Sequence, residues 1–239
     1  MSPWCTDLTS PEADLRKRLR IRVGIFLLAV VACLLLLNQI LKVVNTLDRL
    51  AVVEAERDQW QRAAGVIAAL NVKPGSVVAD IGAGAGYFAL KLSRAVGPSG
   101  KVLAVDIQRL PLMFLWMRTI SRSGRNISIR LGDRDDPHLP PNAMDGVLVA
   151  NTYHEFANPE SMLDHIVKSL RPGGRLVVLD RFPESAASPG ENGRQHGLLP
   201  ASVEDQLRRK RFEVLDLRDE FVNGPDGERW WLITAARMN

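Results

Sequence analysis

The sequence predicts an α/β fold: a Rossmann-like, seven-stranded, mostly parallel sheet with helices on both faces, plus one N-terminal transmembrane helix. Two observations from about residue 72 onward predict the sheet. Short apolar runs alternate with amphipathic stretches, and most of these runs are almost continuously apolar, as in strands buried on both faces. A third observation, a long uncharged segment near the N-terminus, predicts the separate helix.

The apolar segment covers residues 23–41 and contains no charged side chain. A helix needs about 20 apolar residues to span the hydrocarbon core of a bilayer. A buried core helix is the alternative, but such a helix normally has a polar face, and this segment has none. We therefore expect a single-pass membrane anchor.

Basic residues precede this segment, from Arg16 to Arg22, and by the positive-inside rule they place the N-terminus in the cytoplasm. The same pattern describes a secretory signal, although no small-residue cleavage pattern directly follows. Val30–Cys33 also resembles a lipobox, but Leu34–Leu37 continue the apolar run beyond it. An uncleaved signal anchor fits best, and the side of the membrane that carries the domain stays open.

The chain divides into a basic N-terminal tail (1–22), the transmembrane helix or signal anchor (23–41), a connecting helix (42–71) and the α/β domain (72–239). Within the connecting segment, helical spacing of apolar residues predicts a helix over 44–70, and Asn71–Gly75 is its stop signal. The domain contains seven predicted strands, at Val77–Ile81, Val102–Asp106, Ile127–Leu131, Gly146–Ala150, Leu176–Asp180, Phe212–Asp216 and Trp230–Ala235. Helices are predicted at Tyr87–Val96, Pro111–Ser123, Glu160–Leu170 and Ser202–Lys210, and residues 183–193 are predicted to form a mobile loop.

Charge and composition exclude several classes of function. The net charge is +4, but residues 1–49 hold seven Lys/Arg against four Asp/Glu, so the rest of the chain is nearly neutral. No nucleic-acid partner is expected of such a domain. Cys5 and Cys33 both precede the domain, and the four histidines have no metal-ligand spacing, so no metal site is predicted.

A glycine-rich turn follows the first predicted strand, in the run Val77–Phe88. Gly82, Gly84 and Gly86 alternate with alanines, and Asp80 lies two residues before the first glycine. A dinucleotide fingerprint would place its third glycine at position 87, which is Tyr87. The pattern instead resembles motif I of class I S-adenosylmethionine-dependent methyltransferases. The resemblance implies that Asp80 and the loop bind the amino-acid part of the cofactor; a capping role is the alternative for Asp80.

Later motifs follow in the order of that family, across about residues 72–237. Asp106 ends the second strand, where an acid can accept hydrogen bonds from both ribose hydroxyls. After the third strand, Asp133 takes the position of an acid that binds the adenine amino group; it could equally be a turn residue, or be replaced by Asp135 or Asp136. The resemblance implies these cofactor-binding residues: Asp80, Gly82, Gly84, Gly86, Tyr87, Asp106, Ile107, Gly132, Asp133 and Asn151.

Polar residues at the end of the fourth strand supply the candidate chemistry, in the run Asn151–Phe156. Ligands bind at the carboxyl ends of strands in open α/β sheets. His154 can act as a base on a substrate hydroxyl or amine, with Glu155 orienting it or binding a cation. Alternatively, His154 only shapes the pocket, because methyl transfer often needs little beyond positioning. His196 is a further candidate for a substrate-facing or capping role.

The sequence therefore predicts a membrane-anchored methyltransferase that uses S-adenosylmethionine and a small or lipid-like acceptor. The predicted topology conflicts with the predicted cofactor. The basic tail places the domain away from the cytosol, whereas S-adenosylmethionine is made in the cytosol. Two rivals stay open. One is a nicotinamide-dependent oxidoreductase, which the glycine spacing disfavours. The other is a non-catalytic module that binds S-adenosylmethionine, a nucleoside or a protein partner.

Overall fold

The computed structural model describes residues 11–121, 126–183 and 197–238. His196 and residues 184–193 of the predicted loop lie outside them. The chain divides into two compact units, Met1–Val52 and Val53–Asn239. Helix α1 covers Pro11–Trp60, so its last residues, from 53 onward, belong to the second unit.

In the first unit, α1 carries the predicted apolar segment. Among the described residues, one helix, over Leu15–Trp60, is long and apolar enough to cross a membrane, judged by length and composition. Signal sequences and core helices can meet the same criteria, but no part of the most apolar stretch of this helix is buried. The helix is present as predicted, and its insertion into a membrane remains a prediction.

The second unit contains the predicted α/β sheet. Its helices are α2 (Ala63–Ala69), α3 (Tyr87–Val96), α4 (Arg109–Ser121), α5 (Pro159–Ser169) and α6 (Pro200–Arg209). Its strands are β1 (Val77–Ile81), β2 (Lys101–Asp106), β3 (Ile127–Leu131), β4 (Met144–Ala150), β5 (Leu170–Arg181), β6 (Phe212–Asn223) and β7 (Arg229–Arg237). The strand order is β3-β2-β1-β4-β5-β7-β6.

The first five strands are parallel, and β7 runs antiparallel to both β5 and β6. The prediction of a mostly parallel, seven-stranded sheet is therefore confirmed. Alternate strand residues face two separate apolar clusters, for example Val78 in one and Ala79 in the other. Helices α2 and α3 contribute to the first cluster and α5 and α6 to the second, so helices cover both faces.

Most element boundaries lie within two residues of the sequence prediction, and three features differ by more. The helix predicted over 44–70 is interrupted after Trp60, because Arg62 adopts a left-handed conformation with φ of 50° before α2 begins. Strand β5 begins at Leu170, where a helix was expected to end, since that residue pairs with Met144. Strand β6 continues to Asn223, because its second half pairs with the start of β7.

The parallel strands position the functional site. The strand order changes direction between β1 and β4. Strands β2 and β3 follow on one side of β1, and β5 follows on the other side, next to β4. A crevice forms at such a switch point, outside the carboxyl ends of the strands. In this chain those ends are Ile81, Asp106 and Ala150, next to the glycine-rich turn.

Candidate functional site

A cleft of about 760 Å³ lies at the carboxyl ends of β1, β2 and β4 and is called the strand-end cleft. Its volume is typical of sites for small molecules. Seven of the predicted site residues line it: Gly82, Asp106, Ile107, Asp133, Asn151, His154 and Glu155. Sequence reasoning missed several others, among them Gln108, Arg134, Pro137, Thr152, Phe156, Ala157 and Met162.

The glycine-rich turn has two kinds of glycine. Gly82 and Gly84 both adopt positive φ, of 74° and 54°. A Cβ on Gly82 would lie 2.1 Å from Oγ1 of Thr152, so that glycine is required for packing. A Cβ on Gly84 would have no atom within 4 Å, so the backbone there is open to an approaching ligand.

Asp106 is fixed by the backbone at the end of β2. Its Oδ2 accepts a hydrogen bond from the Gly84 N–H at 2.8 Å, and its Oδ1 accepts one from the Gln108 N–H at 2.8 Å. A carboxylate offers about four acceptor positions, so two remain for a diol. This geometry suits the ribose-binding role that the family resemblance implies for Asp106.

Asp80 does not line the strand-end cleft, and its carboxyl group is buried directly behind the glycine-rich turn. Burial, together with a smaller contribution from the nearby Asp106 carboxylate, raises the pKa of Asp80 to about 7. Within the described part of the chain, Oδ2 of Asp80 has no hydrogen-bond partner. The buried Oδ1 of Asn151 also lacks one there. A buried acceptor without a hydrogen bond destabilises the fold unless a ligand donates to it. Oδ2 of Asp80 and Oδ1 of Asn151 therefore fit a cofactor that carries hydrogen-bond donors.

The other predicted cofactor residues lie outside the cleft lining. Gly86 begins α3 and packs on Leu115, and Gly132 packs on Val105. The Tyr87 hydroxyl donates to Oδ1 of Asp58 at 2.7 Å, so this side chain faces the end of α1. Burial and this hydrogen bond raise the pKa of Tyr87. The contribution of these residues to the cofactor site is therefore structural in this conformation.

Among the three acids after β3, Asp133 lines the strand-end cleft, whereas Asp135 and Asp136 do not. Oδ2 of Asp133 lies 2.9 Å from Nε2 of His138. Asp136 accepts a hydrogen bond from the His138 backbone N–H at 2.7 Å. The structure thus brings Asp133 to the predicted position, and Asp136 shapes the turn that holds it.

His154 is paired with an acid that the sequence analysis did not single out. Nδ1 of His154 lies 2.8 Å from Oδ1 of Asp180, and the His154 backbone N–H donates to Oδ2 at 3.1 Å. Asp180 is fully buried, and the His154 side chain is 4% exposed. Glu155 is more distant, with Oε1 at 3.9 Å from Nε2, and it is 61% exposed. Asp180, rather than Glu155, therefore orients the imidazole.

The signal for Asp180 was available in the sequence. It ends the apolar run of the fifth predicted strand, as Asp106 ends the second. The same reasoning that selected Asp106, an acid at the carboxyl end of a parallel strand, applies to Asp180.

Arg118 connects the glycine-rich turn to the end of α1. Its guanidinium group donates to the carbonyl of Ala85, within the turn, and pairs with the Glu54 carboxylate, with one contact of 2.7 Å. The Arg118 side chain is 5% exposed and that of Glu54 is 18% exposed. Both residues belong to the second unit. The turn is therefore held from α4 as well as from the sheet.

Comparisons with known proteins show which sequences and folds this chain is similar to. Residues 79–178 match a family model described as a methyltransferase domain. A ubiquinone/menaquinone biosynthesis C-methyltransferase from Hahella chejuensis is 34% identical over 111 residues, which are 46% of this chain and 45% of that protein. A demethylmenaquinone methyltransferase from Symbiobacterium thermophilum is 30% identical over 125 residues, or 52% and 49% of the two chains. The match thus spans about half the length of these relatives.

Solved structures share the fold. An S-adenosylmethionine-dependent methyltransferase from Aquifex aeolicus superposes with a TM-score of 0.63 at 23% identity, over 73% of this chain and 89% of that one. The cyclase SpnF superposes with a TM-score of 0.65 at 17% identity, over 74% and 80% of the chains. One fold thus carries different named activities, so the reaction has to be argued from the site.

Proposed function

We propose that this chain is a class I S-adenosylmethionine-dependent methyltransferase, which transfers a methyl group from S-adenosylmethionine to a lipophilic acceptor. The observation that carries the proposal is the strand-end cleft, which joins the cofactor residues around Asp106 to the His154–Asp180 pair. By their names, the first relative above is a C-methyltransferase of ubiquinone/menaquinone biosynthesis, and the second methylates demethylmenaquinone. An acceptor of that chemical class, a phenolic ring with an apolar tail, is the substrate we propose.

The cofactor would lie across the ends of β1 and β2. Asp106 would accept hydrogen bonds from the ribose hydroxyls, and Asp133 would bind the adenine end. The open backbone at Gly84 would face the amino-acid part, with buried Asp80 behind it. When bound, S-adenosylmethionine supplies an electrophilic methyl carbon; the chain's own residues hold it in place and exclude water.

His154 would act as the general base. Asp180 would accept the hydrogen bond from Nδ1–H, so Nε2 is the ring nitrogen that would act as the base. Nε2 takes the proton of a phenolic hydroxyl, and the ring carbon next to that oxygen becomes nucleophilic. The cofactor, held by Asp106 and Asp133, would supply the methyl group that this carbon receives. Loss of the ring proton to water then restores aromaticity.

The cleft lining favours an apolar acceptor. Ile107, Pro137, Phe156, Ala157 and Met162 line it beside His154. A lipophilic acceptor also agrees with attachment of the chain to a membrane through residues 23–41, which is part of this proposal. Apolar burial contributes about 25 cal/mol per Å², so a tail that occupies this lining stabilises the bound acceptor.

The test is methyl transfer by the full chain in lipid nanodiscs, with the cofactor labelled in its methyl group. Two acceptors are compared: a long-tailed hydroquinone and the same head group without its tail. We expect label on a ring carbon and a kcat/KM at least about tenfold higher for the tailed acceptor, because buried tail carbons add binding energy. Label on neither acceptor, from a chain that binds the cofactor, would contradict the proposed reaction. Equal rates would contradict the lipophilic specificity.

A further inference from the structure

Helix α4 has an apolar face that the rest of the domain leaves exposed. Leu110, Met113, Trp116 and Ile120 are 62%, 41%, 55% and 67% exposed. Their spacing of three to four residues puts them on one side of the helix. We call these four residues the α4 apolar face.

The opposite side of α4 is apolar too, and there it does pack on the domain. Leu112 and Leu115 are buried in the first apolar cluster, beneath the sheet-facing side of the helix. An ordinary surface helix places polar residues on its outer side. The fold thus does not bury the α4 apolar face, and exposed apolar surfaces of this kind mark contact with a partner or a lipid.

The charge of this stretch indicates what it contacts. From Ile107 to Leu131 the sequence contains five arginines and no Asp or Glu. Arg118 is engaged with Glu54, and Arg109 lies exposed on α4 next to the apolar face. An apolar helix side with a tryptophan, in a basic and acid-free stretch, has the composition of helices that bind anionic lipid surfaces.

The α4 apolar face also adjoins the strand-end cleft. Ile107 and Gln108 line the cleft and directly precede the first turn of α4. Ile107 is 51% exposed, so an exposed apolar side chain lines the cleft three residues before Leu110 of the α4 apolar face. An acceptor with an apolar tail could pass from lipid to cleft along this side of the domain without crossing water.

We propose that the α4 apolar face docks on an anionic lipid surface and opens the strand-end cleft toward the bilayer. The proposal deepens the proposed function and rests on its membrane attachment, but its test does not depend on methyl transfer. The docked residues are Leu110, Met113, Trp116 and Ile120, with Arg109 toward the lipid phosphates. Burial of these four side chains contributes the apolar energy, and the basic charge selects anionic lipid.

Trp116 is the reporter for this test. The full chain is reconstituted in vesicles whose acyl chains carry bromine, which quenches tryptophan only when the ring enters the hydrocarbon region. Fluorescence of Trp116→Phe is subtracted from that of the parent chain, so the remaining signal is that of Trp116. Vesicles contain either one-third phosphatidylglycerol or phosphatidylcholine alone, and flotation with the vesicles measures attachment of the whole chain separately.

We expect strong bromine quenching of Trp116 in the anionic vesicles, and at least about twofold less in phosphatidylcholine, because the basic stretch favours anionic lipid. The double variant M113Q/I120Q should lose about half of the quenching or more, while it still floats with vesicles. Leu215→Gln, a matched change at an exposed leucine of β6, should leave the quenching unchanged.

Each other outcome overturns the docking proposal. If the chain floats with the vesicles, but Trp116 is quenched by aqueous acrylamide and not by bromine, then α4 faces water. Protection of Trp116 in detergent, with a dimer mass that M113Q/I120Q abolishes, means that a second copy covers the face. A chain that fails to float contradicts the membrane attachment itself, which separates that failure from failure of the α4 face.

Discussion

Nδ1 of His154 lies 2.8 Å from Oδ1 of Asp180, and neither side chain is more than 4% exposed. The acid is the penultimate residue of β5, and the histidine lies in the short 3₁₀ turn after β4. These neighbouring parallel strands bring the two groups together at the same edge of the sheet. A buried carboxylate that receives Nδ1–H fixes the ring and its tautomer, so that Nε2 can accept a proton in the cleft.

Asp180→Asn tests this pair. The amide can donate to Nδ1 and so favours the wrong tautomer, and we expect kcat to fall by roughly 10²–10⁴-fold, the range of general acid–base catalysis. Cofactor affinity should change little, because Asp180 lies outside the cleft lining. Single-turnover rates and calorimetric binding separate the two effects.

Asp216→Asn, at an exposed aspartate, is the matched control. A kcat within about twofold of the parent chain would leave His154 as a residue that only shapes the pocket.

Glu54→Gln tests the support of the glycine-rich turn. The change removes the Glu54 carboxylate that pairs with the buried Arg118 guanidinium, and breaking a buried pair costs roughly 3–5 kcal/mol before solvent screening at Glu54 reduces it. We expect a lower melting temperature and an S-adenosylmethionine affinity weakened about tenfold, because Arg118 also holds the Ala85 carbonyl. Glu56→Gln, at an exposed glutamate two residues later in α1, is the control and should match the parent chain. Normal affinity in Glu54→Gln would mean that the turn needs no support from α4.

The raised pKa of Asp80 predicts that the free energy of unfolding depends on pH. Burial raises the pKa of this carboxyl from 3.8 to about 7, so the folded state binds the proton more tightly than the unfolded state. The stability contributed by neutral Asp80 is complete below about pH 4 and is lost as the pH rises through about 7. Asp80→Asn should remove this loss, so melting temperatures of variant and parent should diverge between pH 4 and pH 7. Asp216→Asn should follow the parent. Parallel curves for Asp80→Asn would show that the carboxyl is already ionised in the folded chain.

Gly82 and Gly84 should respond differently to alanine. Gly82→Ala places a Cβ 2.1 Å from Thr152 Oγ1, so it should lower the melting temperature before any ligand is added. Gly84→Ala meets no atom within 4 Å and adds backbone strain of about 1–2 kcal/mol. Its main effect should be on binding of S-adenosylmethionine, which would approach the same space. Titration and thermal melting of both variants decide this, and unchanged affinity in Gly84→Ala would mean that the cofactor lies elsewhere.

Much of the fold could be predicted from the sequence, because strands buried on both faces are continuously apolar. Val77–Ile81, which is mostly apolar and mostly buried, is predicted to the residue for that reason. Ile127–Leu131 is also predicted to the residue, although it contains Ser128 and Arg130 and is only partly buried. The interruption of the first helix was missed, since neither Gln61 nor Arg62 is a usual helix breaker. The length of β6 was missed because its second half, Arg218–Asn223, is paired through an irregular register with few apolar residues facing inward.

The site was predictable where a residue's position along a strand decides its role. Asp106 and His154 follow strands and reach the cleft as expected, whereas the direction of Tyr87 depends on Asp58, which is distant in sequence. The two sides of α4 could not be assigned, since both are apolar and only tertiary packing distinguishes Leu115 from Trp116.

The most direct test of the account is calorimetric binding of S-adenosylmethionine, S-adenosylhomocysteine and NADH to the full chain in nanodiscs, alongside Asp106→Ala. We expect dissociation constants on the order of micromolar for the first two ligands and no measurable binding of NADH. Asp106→Ala should weaken both by roughly 10–100-fold, because hydrogen bonds to a charged acceptor are lost. A folded chain that does not bind S-adenosylmethionine, or binds it equally well without the Asp106 carboxylate, would contradict the proposed methyltransferase site.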